Sequence, residues 1–353
     1  MRPSFNVKPQ TKLLGWYWRP LIWLAVLLSV LVTIGLVFLI GTKTTAIGEM
    51  PITKMSGVEI NSRIFPIGVD PETKTVTENP DIETYLNTYV ASNYTPPTLE
   101  NSWRTRLVAR LALMDWYQNL ASPISRVLVI ESGQRKEEVI ANFTKILGWN
   151  KVEQTLFLEQ IESEVPVLAD GKLYPGTYVV DKNADGDTVA RVIADRFNAE
   201  VRSRYSSDIE AVVPLRDALI IASLIEREAY DFEDMRYISG IIWNRLFIDM
   251  RLQLDATMQY AKSTNKKTPN LANWWPVPIP ADKAIESPYN TYKKAGLPPG
   301  PIANPSIDAI IAALNPRDTN CLFYFHTNDG AFTCTETYAE HVAALKTAFG
   351  RGK

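Results

Sequence analysis

Two glutamates, Glu226 and Glu228, flank Arg227 in the run "LIIASLIEREAY" (residues 219–230), where most other side chains are apolar. An ionised carboxylate in such surroundings is costly, because loss of water disfavours the charged form. The chemistry it offers is acid catalysis. A carboxyl with raised proton affinity stays protonated near neutral pH and can donate to a leaving oxygen. On a helix advancing about 100° per residue, Glu228 falls beside Ile221, Leu224 and Ile225, and Glu226 beside Leu219, Ala222 and Ser223. Glu228 is therefore the more desolvated and the candidate catalytic acid, with Glu226 the secondary candidate. The structural alternative is that Arg227, Arg236 or Arg245 neutralises both as ion pairs.

Polar groups that could hold a substrate follow downstream. In "RLQLD", Arg251, Gln253 and Asp255 alternate with Leu252 and Leu254, as on a half-buried strand. One face thus presents a cation, an amide and a carboxylate to a hydroxyl-rich ligand, although a solvated edge strand has the same pattern. In "SPYNTYKKAGLPPGP", the Pro298-Pro299-Gly300-Pro301 run makes a stiff bend, and Tyr289, Asn290 and Tyr292 supply the flat faces and amides that hold sugars. Asn304 reads as a helix N-cap, with Pro305 at the first helical position and Asp308 in the first turn. His326 and His341 are the only histidines and stand apart, so a metal site or a histidine-based triad has little to build on. No metal or cofactor is expected.

The elements that must position these groups alternate irregularly. Residues 42–122 read as a Thr- and Pro-rich spacer with one modest helix at "DIETYLNTYVA", then a stronger one in "TLENSWRTRLVARLALMDWYQNLA". Residues 123–182 read as strand, helix, helix, strand, an order that resembles the LysM-like unit gripping N-acetylglucosamine polymers. From 183 to 353 come a helix capped by Asp185 or Asp187, the glutamate helix, "DMRYISGIIWNRLF", a hairpin and a terminal helix. This mixed order predicts an α+β fold.

The chain of 353 residues, 46% hydrophobic, is too apolar to be mostly disordered, and its net charge of -2 gives no footprint for nucleic acid. Pro20 to Gly41 is about 20 residues without a charge, enough for a transmembrane helix. Arg2, Lys8, Lys12 and Arg19 precede it, which places residues 1–19 in the cytoplasm and everything after about 42 outside. A cleaved signal peptide is the alternative, but its apolar region is usually about 7–15 residues long. Cys321 and Cys334 would then lie where disulfides form. They flank "LFYFHTNDGAFT", a hairpin turning at Asn328-Asp329-Gly330. A bridge and two unpaired small core residues both remain open.

In this order and spacing, "ASLIEREA", "GIIWNRL", "MRLQLD", "SPYNTYKKAGLPPGPIANPS", "AALNP" and "TYAEH" closely resemble the MltG (YceG-like) family of membrane-anchored endolytic murein transglycosylases. "KLYPGTYVV" is similar to its segment ahead of the catalytic domain, and the resemblance runs from about residue 125 to 349. It implies cleavage of the β-1,4 bond between N-acetylmuramic acid and N-acetylglucosamine without water, leaving a 1,6-anhydro end. The second glutamate of the family's E-x-E lands on Glu228. Asn244, Arg245, Arg251, Gln253, Asp255, Tyr289, Asn290 and Tyr292 match motif positions expected to line the glycan groove. The implied partners are peptidoglycan glycan strands, the cytoplasmic membrane and cell-wall synthesis proteins. Two positions depart from the pattern: where the family commonly has a hairpin histidine stands Phe332, and Cys334 replaces an aromatic, leaving His326 as the nearby substitute.

Overall fold

The computed structural model describes Trp23 and residues 64–93, 124–264 and 273–350. Apart from Trp23, the expected membrane span lies outside the described residues, as does the helix expected in 98–121. Among the described residues no helix is long and apolar enough to cross a membrane. All of them except Trp23 belong to one compact unit made of residues 57–98 and 122–353.

The unit opens with the short antiparallel strands β1 (Val69–Asp70) and β2 (Thr75–Val76), then helix α1 (Pro80–Asn93). This stretch, expected as part of a spacer, contributes Phe65, Val69, Leu86 and Tyr89 to the main core. The Gly68 N–H donates to the Leu314 carbonyl at 2.9 Å, and Glu83 on α1 pairs with Arg236 at 2.5 Å.

The expected strand–helix–helix–strand module follows as β3 (Ser125–Ile130), α2 (Lys136–Leu147), α3 (Lys151–Glu162), a short α4 (Ala169–Lys172) and β4 (Gly176–Asp181). β3 and β4 pair antiparallel with Leu128 opposite Tyr178. Phe143, Trp149 and Phe157 fill the core beneath them. The next helix, α5 (Gly186–Glu200), is capped by Asp185, whose side chain accepts from the Thr188 N–H. Val189, Ala190 and Ile193 of α5 complete the module's core, whereas Phe197 belongs to the main one. The two cores therefore meet along α5.

The main core is built by α6 (Ser207–Val212), α7 (Leu215–Glu226), α8 (Phe232–Phe247), α9 (Asp255–Thr264) and α10 (Ile307–Leu314). Every residue of α7 from Ala218 to Ile225 is sealed from solvent, the state of a helix apolar on all sides. Each such Leu or Ile contributes about 1.5–3 kcal/mol by burial. α7 packs against α8 and α10. Its one buried hydroxyl is satisfied: Ser223 Oγ donates to the Ile220 carbonyl and accepts from the Ile302 N–H at 3.0 Å. That bond seats the Pro-rich run on α7. Gly300 is required within it, because a Cβ there would sit 2.1 Å from the Val167 carbonyl oxygen.

Strands β5 (Phe323–His326) and β6 (Phe332–Thr335) form the expected hairpin, followed by α11 (Tyr338–Phe349). The register sets Tyr324 opposite Cys334 and His326 opposite Phe332. Of the two states open to the cysteines the structure has the bridge, Cys321–Cys334, which closes the base of the hairpin. Residues 251–254 form no strand, although the expected alternation holds, with Leu252 and Leu254 buried and Arg251, Gln253 and Asp255 exposed. Gln253 has a left-handed φ of 49°, which breaks strand geometry and leads the chain into α9. The fold is α+β, with small antiparallel sheets set among helices.

Candidate active site

Helix α7 ends at Glu226, so Glu228 is not on the helix as expected but in the turn beyond it. The end tightens: the N–H groups of Arg227 and Glu228 donate to the carbonyls of Leu224 and Ile225, three residues back. The two carboxylates consequently part company. Glu226 Oε2 accepts from the N–H of Ser306 at 2.9 Å and from its hydroxyl at 2.6 Å, and Ser306 in turn caps α10. Ser306, not Asn304, is therefore the N-cap. Asn304 is buried and its amide donates to the carbonyls of Glu131 and Leu173, stitching the module to the main core.

Glu228 points instead toward the hairpin. The Tyr324 hydroxyl donates to its Oε2 at 3.0 Å, and the Ala256 N–H in the first turn of α9 donates to the same carboxylate. Burial of this carboxyl, reinforced by the nearby charge of Asp255, raises its pKa to about 7, against the opposing pull of Tyr324, Ala256 and Arg227. The arginines that might have neutralised it are engaged elsewhere. Arg236 serves Glu83 and the Asn315 carbonyl, and Arg245 the carbonyls of Leu322 and Leu252. Arg227 stacks its guanidinium 3.9 Å over the Trp275 ring. Beside Arg227 runs Gly133 in a left-handed conformation, φ 78°, where a Cβ would crowd the guanidinium at 3.2 Å.

Glu228 lines an open cleft of about 860 Å³, together with Arg245, Gln253, Asp255, Tyr292 and the hairpin residues Phe323 to His326. Lys283, Leu254, Tyr338 and His341 complete its walls. The Tyr292 hydroxyl donates to Asp255 Oδ1 at 2.7 Å, and the Lys283 ammonium sits 4.7 Å over the Tyr292 ring. Exposed Tyr338 and the Phe323 ring, 5.7 Å apart, give one wall a broad aromatic surface. Such a groove suits a sugar polymer, with flat faces for the rings, polar groups for the hydroxyls and one protonatable carboxyl.

Of the residues expected from sequence, Glu228, Arg245, Gln253, Asp255 and Tyr292 share this cleft. The others lie outside its lining. Asn244 donates to the carbonyls of Thr319 and Cys321, anchoring the approach to β5. Asn290 is fully buried and holds the carbonyls of Lys283 and Ile285. Tyr289 packs 4.6 Å from Tyr260, in a cluster with buried Asp170, and Arg251 is exposed. Sequence reasoning missed Tyr324, Phe323, Phe325 and Tyr338. For the first three the sequence signal is the alternation "FYFH" in a hairpin, which marks a two-faced ribbon but not the groove it faces, and Tyr338 opens α11. Among the described residues no cluster of His, Cys, Asp or Glu is placed to hold a metal ion.

A mixed α+β fold that turns a carboxyl of raised proton affinity into an aromatic-walled groove is equipped for acid–base chemistry. The chain belongs to the YceG-like family, which matches residues 104–347. It is 30% identical over 232 residues to an endolytic murein transglycosylase of Bacillus subtilis, covering 62% of this chain and 59% of that protein. It is 29% identical over 188 residues to one of Streptococcus pneumoniae, covering 49% of this chain and 33% of that protein. The chain thus spans less than two thirds of the length of these curated relatives. A crystal structure of a yceG-like protein from Listeria monocytogenes superposes with a TM-score of 0.53 at 26% identity, covering 62% of this chain and 75% of that one.

Proposed function

We propose that this chain is a membrane-anchored endolytic lytic transglycosylase of peptidoglycan, with Glu228 as its catalytic acid and base. The observation that carries the reading is a carboxyl raised to about 7 and turned into an open, aromatic-walled groove. Protonated Glu228 gives its proton to the glycosidic oxygen as the bond from C1 of N-acetylmuramic acid breaks. The substrate's acetamido oxygen stabilises the oxocarbenium ion. The carboxylate left behind is held by Tyr324 and the Ala256 N–H, and takes the proton of the muramic 6-hydroxyl as O6 closes on C1. Intramolecular attack replaces an ordered water and gains from effective concentration. No water is consumed and no second carboxylate is required.

A hydrolytic muramidase is the second reading, because Asp255 lines the same groove. Glu226 is unsuited to that role, being engaged by Ser306. Digestion of purified glycan strands with the full chain separates the readings. Anhydro-ended fragments, lighter by one water, about 18 Da, support the transglycosylase, and reducing ends support the muramidase. Binding without products would leave a peptidoglycan-docking scaffold. Glu228→Gln is expected to abolish the anhydro products while leaving the fold intact.

The charge-free run Pro20–Gly41, with basic residues ahead of it, supports an inner-membrane anchor and an extracytoplasmic active site among cell-wall synthesis proteins. Protease added outside intact spheroplasts should digest residues beyond 42 and spare an N-terminal stub.

A further inference from the structure

Beside the acid, the groove holds a second ordered proton-bearing group that the mechanism above does not use. His326 Nε2 and Asp234 Oδ2 are 2.8 Å apart. Asp234 lies in the first turn of α8, where the helix dipole favours an anion, and it is buried. A carboxylate can only accept, so the Nε2 that faces it carries a proton, and in the Nε2–H tautomer Nδ1 is left as an acceptor. The ring is wedged by three aromatics set edge-on or tilted: Tyr230 at 4.6 Å, Phe332 at 5.4 Å and Tyr324 at 6.3 Å. Its orientation is therefore fixed. His326 lines the groove, and among the described residues its Nδ1 has no hydrogen-bond partner. Tyr324, whose ring it touches, is the residue bonded to Glu228.

The geometry points to His326 as a substrate-contacting residue, its Nδ1 accepting a hydrogen bond from a hydroxyl or acetamido N–H of the glycan. This rests on the substrate reading above. A pair serving only to tie the hairpin to α8 would use Nε2 alone, and would not require the imidazole on the wall of a groove. Asp234 is then a positioning residue, acting on the glycan through the imidazole, as carboxylates orient histidines in other sites.

The test separates the two nitrogens. In the full chain carrying Glu228→Gln, which cannot turn over, the affinity for a tetrasaccharide of alternating N-acetylglucosamine and N-acetylmuramic acid is measured by calorimetry. His326→Gln keeps a donor for Asp234 at the place of Nε2, whereas His326→Asn keeps an acceptor at the place of Nδ1. Loss of one neutral hydrogen bond predicts roughly tenfold weaker binding for His326→Gln and His326→Ala, with His326→Asn restored to within about threefold. Equal binding by all three, or Gln matching the parent while Asn fails, overturns the proposal. Should the variants fail to fold, the unsubstituted ring reports directly. With only two histidines in the chain, the ¹⁵N resonance of His326 Nδ1 is assignable, and it must shift on adding the tetrasaccharide. An unmoved resonance under saturation overturns the proposal. A parent that does not bind the tetrasaccharide at all fails the substrate reading itself, and the proposal falls with it.

Discussion

The hydroxyl of Tyr324 donates to Oε2 of Glu228 across 3.0 Å, joining a disulfide-closed hairpin to the turn that ends the deeply buried helix α7. This bond favours the ionised carboxylate, and therefore holds the acid's proton affinity below the level that burial alone would set. Tyr324→Phe should make Glu228 keep its proton to higher pH. The alkaline limb of the kcat/KM profile is expected to move upward, while kcat falls roughly tenfold because the carboxylate formed in the reaction loses a donor. A limb that stays in place would show that the bond does not act on the acid in solution.

The same shift ties stability to pH. The folded pKa of Glu228, about 7, lies above the ordinary carboxylate range of the unfolded chain. The folded state therefore binds this proton more tightly, and stability is lost as pH rises from the unfolded value through 7. Glu228→Gln removes the titration. Denaturant melts should show no difference from the parent near pH 4, and a stabilisation on the order of 2 kcal/mol at pH 8. Equal stabilities at both pH values would mean that the carboxyl is not desolvated.

The Cys321–Cys334 bridge closes a loop with a sequence separation of 13, and Cys334 is the cross-strand partner of Tyr324. Replacing both cysteines by serine, or reducing with dithiothreitol, is expected to cost about 3 kcal/mol by the loop-entropy argument. Because the hairpin also carries the donor to Glu228, activity should fall at temperatures where the protein remains folded. Activity that simply tracks the folded fraction would refute this coupling.

Glu226 and Glu228 should behave oppositely when altered. Glu226 anchors Ser306 at the start of α10, so Glu226→Ala is expected to destabilise by about 1–2 kcal/mol and to leave the product ends unchanged. Loss of products on this substitution, with stability retained, would move the chemistry to the other glutamate.

The preference for Glu228 over Glu226 came from helical periodicity, yet its physical basis proved different. Periodicity takes the helix through residue 228, whereas the helix stops at 226 and the neighbours of Glu228 come from the hairpin and α9. Local pattern carried what local geometry governs: the burial of α7, the alternation in residues 251–255 and the turn of the hairpin. It could not carry what depends on distant packing. Asn244 and Asn290 have the chemistry of sugar ligands, but their amides hold backbone carbonyls that only the folded chain brings near. Tyr324 has the opposite history. The alternation around it marks a hairpin strand but not its role, because its partner is 96 residues away.

Arg236 is nearly sealed from solvent, and its carboxylate partner Glu83 comes from α1, ahead of the βααβ module. A fragment beginning at residue 123 would strand that guanidinium without a counter-charge and open the slots of Phe65, Leu86 and Tyr89. On the ribosome, α1 emerges before the module and before every helix it will finally touch. The glutamate-bearing half is therefore complete only when an early strip of chain has folded back over its late-made neighbours, a closure of long sequence separation.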